Sequence, residues 1–231
     1  MKPIPTMIVA LAVALAGAAC QNRSNENAAA HSNSAAVNNA DSADHSGHDM
    51  SNMKGHDMSK MADAVTAPGA AEQPYDLQFI DSMIHHHDGA IEMANMVIGK
   101  TRRQELKQFA QKIIDDQKKE IEQMRRWRDE WFAGKPSALN MELPGMAGGM
   151  AMMTSSHIRD MDSMEPDHFD IHFLNMMTQH HEGAVEMSKD ALKKASRPEI
   201  KKLADDIIRA QTGEIEMMAK WKAQWKGEEK K

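Results

Sequence analysis

Apolar positions recur at helical spacing along the last two-thirds of the chain. Ile80, Met83, Ile84, His87, Ile91, Ala94 and Ile98 fall on one side of a first helix. Leu106, Phe109, Ile113, Gln117, Ile121, Met124 and Trp131 do the same in a second. Leu174, Met177, His181, Val185 and Leu192 mark a third. Nothing alternates with period two, so no sheet is predicted. Pro74 and Pro166 stand where the first helices should begin. Thr101-x-x-Gln104 and Ser196-x-x-Glu199 read as capping boxes that start the helices following them, with Pro198 tolerated in a first turn.

The pattern is duplicated. Sliding the chain by 94 residues superposes Asp76–Trp131 on Asp170–Trp225 without a gap, with about 23 of the 56 positions identical. One unit reads Phe79-x-x-x-Met83-x-x-His86-His87-x-Gly89-Ala90-x-Glu92-Met93, the other Phe173-x-x-x-Met177-x-x-His180-His181-x-Gly183-Ala184-x-Glu186-Met187. They end in Trp127-x-x-x-Trp131 and Trp221-x-x-x-Trp225, which suit packing at the bundle ends. Each unit is a helical hairpin, at residues 74–133 and 168–226. The predicted fold is all-α, an antiparallel four-helix bundle made of two duplicated hairpins. Helices of about 25 residues would be roughly 38 Å long. Residues 227–231 form a charged C-terminal tail. The connection, residues 134–167, is long for a bundle. It carries Met141, Met146, Met150, Met152, Met153, His157, Met161 and Met164, and Pro144, Gly145, Gly148 and Gly149 argue against helix over most of it.

The chain before the bundle divides in two. Residues 1–19 read as a secretion signal: Lys2, then an apolar run from Met7 to Ala16 that is too short to span a bilayer. Gly17, Ala18 and Ala19 then precede Cys20, the one Cys of the chain. This resembles a bacterial lipoprotein signal, although Gly17 stands where the lipobox prefers Leu. The expectation is export across the inner membrane, with Cys20 lipidated and the mature protein held at the periplasmic membrane. Residues 20–73 are the tail. From residue 21 to 73 there is no Leu, Ile or Phe and only two Val, too little apolar surface to offset the entropy of ordering, so disorder is predicted.

Composition sharpens this. The 231 residues carry a net charge of −6, with no basic footprint for nucleic acid. Against one Cys there are 22 Met and 12 His. An intrachain disulfide framework and a Cys-only zinc site are excluded. Soft chemistry must run through thioether and imidazole.

On a helix, residues three, four and seven apart share a face. Met83, His86 and Met93 therefore line up, with Ala90 leaving room and His87 about 100° round. Met177, His180, Met187 and His181 repeat the arrangement. Thioethers select Cu(I), while imidazole accepts either oxidation state. Copper is the predicted ligand, Cu(I) favoured over Cu(II). Core packing is the bland alternative, kept for Met124, Met217 and Met218. His85 and His172, unpaired in the repeat, are expected to face solvent. Glu92 and Glu186 read as ion-pair partners ahead of a supporting role for histidine. Gln117 and Gln211, interrupting apolar stripes, are candidates to hydrogen-bond a metal-bound His or another buried group. In the tail, His45, His48, Met50, Met53, His56, Met58 and Met61 form a dense cluster that suits copper capture better than core formation. The Met-rich connection is read the same way. Whether the two repeats share one site is open at this point.

With these paired motifs the chain resembles the DUF305 family over residues 74–225. The resemblance implies a ferritin-like helical bundle. It also implies copper binding as in those secreted members implicated in copper resistance, with Met83, His86, His87, Met93 and their second-repeat counterparts as candidate ligands. The functional expectation is an envelope copper-binding protein that sequesters or transfers the metal, with a copper-transfer partner. It is set against a di-iron or di-manganese oxidase and against a non-metal helical module. The oxidase needs repeated Glu-x-x-His motifs, and Glu165-x-x-His168 is the single match.

Overall fold

A computed structural model describes residues 65–228 apart from 152, 154–156, 158–159 and 162. The signal, Cys20 and the His/Met cluster of the tail lie outside the described residues. Four long helices carry the fold: α1 (Tyr75–Lys100), α2 (Gln104–Phe132), α4 (Pro166–Lys194) and α5 (Pro198–Glu228). A short α3 (Met146–Met150) lies in the connection, and a 3-10 turn (Ala70–Glu72) precedes α1. Among the described residues there is no strand, and no helix is long and apolar enough to cross a membrane.

The helices form for the reasons the stripes give. Leu77, Phe79, Ile80 and Met83 of α1 are buried with Leu106 and Ile113 of α2, Phe173 and Met177 of α4, and Ile200, Ile207 and Met218 of α5. Burying one such side chain stabilises by about 1.5–3 kcal/mol. Exposed helix pairs such as Lys112–Asp116 and Lys202–Asp206 contribute about 0.3–0.5 kcal/mol each. The apolar seam therefore holds the bundle. Met124 and Met218 are fully buried as expected of core filler, but Met217 is 43% exposed, because its neighbour Met218 takes the inward position.

The turns differ from expectation. Thr101 does not cap α2; it follows the last residue of α1, and its N–H donates to the Val97 carbonyl. Its hydroxyl donates to Asp170 at 2.9 Å and accepts from the Arg103 N–H. Helix α2 starts at Gln104 with no side-chain cap. In the other hairpin, the N–H groups of Ser196 and Arg197 donate to Asp76 at 2.9 and 3.2 Å. Asp76 and Asp170 are equivalent positions of the repeat. Each sits at the start of one hairpin and ties down the turn of the other: Asp76 accepts backbone donors left free at a helix terminus, and Asp170 accepts the Thr101 hydroxyl.

The two hairpins therefore run head to tail about a pseudo-twofold axis. The tryptophans obey the same symmetry. Trp127 stacks on Trp131 and Trp221 on Trp225, with ring centroids 5.1 and 5.6 Å apart. Arg103 covers Trp225 and Arg197 covers Trp131.

The connection departs from the symmetry, and one short stretch of it is helical. Helix α3 takes in Gly148 and Gly149 and packs on α4. Gly145, at φ 83°, starts it. A Cβ on Gly183 would stand 2.5 Å from the Gly145 carbonyl oxygen and 2.7 Å from the Gly149 Cα. These glycines admit a backbone contact that any side chain would block. The last residues assigned to the tail also join the bundle: the Ala67 N–H donates to Leu139, and Ala70 is buried.

Candidate metal centre

Helix α1 contributes Met83, His86, His87 and Met93, and α4 contributes Met177, His180, His181 and Met187. All eight are buried. Head-to-tail pairing brings the midpoints of α1 and α4 together, and only residues near the pseudo-twofold meet their own counterparts. His86 and His180 do so, their ring centroids 3.7 Å apart and their planes inclined at 41°.

Both nitrogens of both rings are buried without a hydrogen-bond partner among the described residues. The backbone of His86 approaches the His180 ring without making a hydrogen bond of normal geometry. Burial first, then the neighbouring imidazoles, hold His86 and His180 well below the usual histidine pKa. Both rings are neutral near pH 7, with a lone pair free on each. An unsatisfied buried polar group costs about 1–3 kcal/mol, so two such rings side by side call for an explanation.

His87 and His181 are placed differently. His87 Nε2 lies 2.6 Å from Glu120, and His181 Nε2 lies 2.9 Å from Glu214. A neutral ring that donates from Nε2 keeps its lone pair on Nδ1, and both Nδ1 atoms are buried without a partner. A carboxylate behind a histidine is the usual device for orienting a metal-binding ring. Glu214 also accepts from Lys112 at 2.9 Å. Burial works to raise Glu214, but the bonds from His181 and Lys112 outweigh it and leave the carboxyl below its ordinary range.

Sequence reasoning misses Glu120 and Glu214 and picks Gln117 and Gln211 instead. Among the described residues the Gln117 amide has no partner, nor has the Gln211 carbonyl oxygen. A signal for the carboxylates does exist: Glu120 and Glu214 are identical across the repeat, one turn beyond the glutamines. Glu92 makes no ion pair among the described residues. It is half-buried with Oε2 unpartnered, and burial, then Asp88, push its carboxyl up to about 7. His85 and His172 are partly buried rather than solvent-facing, each with an unpartnered Nε2. The connection accounts for both: His85 shares a cleft with Ser137 and Leu139, and His172 lies near His157. Glu165 and His168 are exposed.

The connection also reaches the centre. A Cβ on Gly149 would stand 2.5 Å from His86 Nε2. Among the described residues, no three His, Cys, Asp or Glu side chains are placed to hold a metal together. A hard-cation carboxylate cage is therefore not what these residues build. The donors that do gather are imidazole nitrogens among thioethers, a set that fits a soft metal ion.

Fold and site define a class: an all-α protein of two duplicated hairpins with a buried histidine pair where they cross and a methionine-rich surround. The model of a family described as Domain of unknown function (DUF305) matches residues 12–128 and again 76–222. The chain belongs to the DUF305 family. It is similar to CopM in the Cu(II)-bound form, with 36% identity over 66% of this chain and 99% of that one, at a TM-score of 0.56. The Cu(I)-bound form of CopM matches at 36% identity over the same shares, with a TM-score of 0.54. A DUF305 protein from Streptomyces coelicolor matches at 29% identity over 65% of this chain and 91% of that one, with a TM-score of 0.58. Among curated proteins, none matches the chain.

Proposed function

We propose that the protein binds copper at the centre of the bundle and holds it for storage or hand-over, without catalysis. One observation carries this: the His86 and His180 rings lie 3.7 Å apart between centroids, buried, with every ring nitrogen unpartnered among the described residues. A bound metal ion would supply the partner that the fold withholds. Met83, Met93, Met177 and Met187 are buried on the same two helices, and their thioethers would favour Cu(I). His87 and His181, backed by Glu120 and Glu214, offer further nitrogen donors that flank the pair rather than converge on it. Likeness to CopM, which is known in Cu(I)-, Cu(II)- and Ag-bound forms, supports a soft ion of the copper type.

Capture by the tail belongs to the same proposal. His45, His48, Met50, Met53, His56, Met58 and Met61 would take up copper and pass it by ligand exchange to the bundle or to a partner protein. Export, with lipid anchoring through Cys20, would put this chemistry in the cell envelope and serve copper homeostasis.

The test is a Cu(I) titration of the mature protein against a competing chelator, beside His86→Ala/His180→Ala. The variant should retain its helix content and lose the tightest site. Equal binding by both proteins would sink the proposal and favour a bundle in which the histidines only pack.

A further inference from the structure

We propose that Met150 and Met153, on the segment joining the hairpins, supply thioether ligands to the copper at His86 and His180, so that the connection caps the site. The proposal rests on the copper reading above and extends it to residues outside the repeat.

The first observation is how close the cap lies. Gly145, Gly149 and Gly183 allow backbone to meet backbone, and the position a Gly149 Cβ would take is 2.5 Å from His86 Nε2. Helix α3 therefore rests on the imidazole itself. The second is where its methionines point. A Cβ on Gly89 of α1 would have His180 Nε2 at 3.3 Å, the Met150 methyl at 3.4 Å and the Met153 methyl at 3.5 Å. Two thioethers and an orphaned nitrogen thus gather over one glycine. The third is burial: Met150 is 7% exposed and Met153 1%.

Core filling alone would be met equally by Leu or Ile. Here the filler is two thioethers whose methyls share the space beside Gly89 with an unsatisfied nitrogen. The cap methionines have no counterpart in the duplication, so they make the two ends of the His pair unequal. A soft ion held there would take nitrogen from α1 and α4 and sulfur from the cap. Withdrawal of the cap would then be the route by which the metal leaves.

The mature protein, its Met150→Leu/Met153→Leu variant and His86→Ala/His180→Ala are each loaded with one equivalent of Cu(I). They are compared by copper-edge X-ray absorption and by chelator competition. Leu conserves volume, so the fold should survive. The Leu variant should show weaker sulfur scattering than wild type, keep nitrogen scattering and bind Cu(I) about 10- to 100-fold more weakly, the range that loss of even a supporting partner produces. Unchanged sulfur scattering and affinity in the Leu variant, with copper lost in the His variant, overturns the cap and leaves the copper reading intact. Copper retained by both variants overturns both. A second measurement needs no folded variant. In wild-type protein with labelled methionine methyls, one equivalent of Ag(I) should shift the Met150 and Met153 resonances, and unmoved resonances overturn the proposal.

Discussion

The guanidinium of Arg197 lies 4.0 Å from the centroid of the Trp131 ring, joining the start of one hairpin's second helix to the end of the other's. Its symmetry mate sets Arg103 4.3 Å from Trp225. Asp76 and Asp170 tie down the same turns. Together these contacts fix the head-to-tail register, and that register alone makes His86 face His180.

The clasp can be measured. Trp225 is 2% exposed, so Trp225→Ala should destabilise by about 3–5 kcal/mol. Arg103→Ala should cost only about 1–2 kcal/mol, the scale of a partly desolvated cation–π contact. Urea unfolding of both single variants and the double variant gives the coupling. A coupling energy near zero would remove Arg103 from the clasp.

Much of this architecture is legible in the amino-acid pattern. The offset of 94 residues defines the hairpins, and the paired motifs name histidines and methionines of α1 and α4 that are buried, the two histidines that meet among them. The meeting of His86 with His180 is not legible, because a repeat does not state how its copies pack. The turn chemistry misleads for a related reason. Thr101 and Ser196 have the spacing of local caps, yet Asp170 and Asp76, 69 and 120 residues away, take the donors. The Met217–Met218 pair shows the limit of periodicity: one residue of phase separates exposure from full burial.

The carboxylates behind the histidines give a functional prediction. Glu120→Gln and Glu214→Gln should each weaken copper binding by about 10- to 100-fold while helix content holds. Glu214→Gln should also lower stability more, since Lys112 loses a buried partner and Glu120 has no such lysine among the described residues. Chelator competition and thermal melting separate the two effects. Wild-type affinity in both variants would mean that His87 and His181 are not ligands.

The repeat-equivalent glycines should respond unequally to the same substitution. At Gly183 a Cβ meets backbone atoms at 2.5 and 2.7 Å, which cannot step aside. At Gly89 the three nearest atoms are a ring nitrogen and two flexible methyls at 3.3–3.5 Å. Gly183→Ala should therefore destabilise by about 1–3 kcal/mol or dislodge α3, while Gly89→Ala is milder. Hydrogen exchange of the α3 amides reports the difference. Equal effects at the two positions would show that α3 is not packed on α4 as described.

Anchoring is predicted from Cys20. Cys20→Ala should move the protein from the membrane fraction to the soluble fraction without changing copper binding by the bundle. Mass spectrometry of the wild-type mature N-terminus should find an acylated residue 20. An unmodified thiol there would replace the lipoprotein reading with an ordinary cleaved signal.

Glu92 supplies a pH dependence for the metal-free protein. Its carboxyl is pushed from 4.5 up to about 7, by burial first and then by Asp88. A carboxyl raised in the folded state favours folding fully below its unfolded pKa, and that contribution is lost as pH rises from 4.5 to about 7. Glu92→Gln removes the charge that forms above that window. The variant should match wild type at about pH 4 and be more stable at about pH 8, by roughly 1 kcal/mol once solvent screening of a half-exposed group is allowed for. Melting curves of metal-free wild type and variant across this range provide the check. A gap that is the same at both ends would place the effect in packing rather than in ionisation.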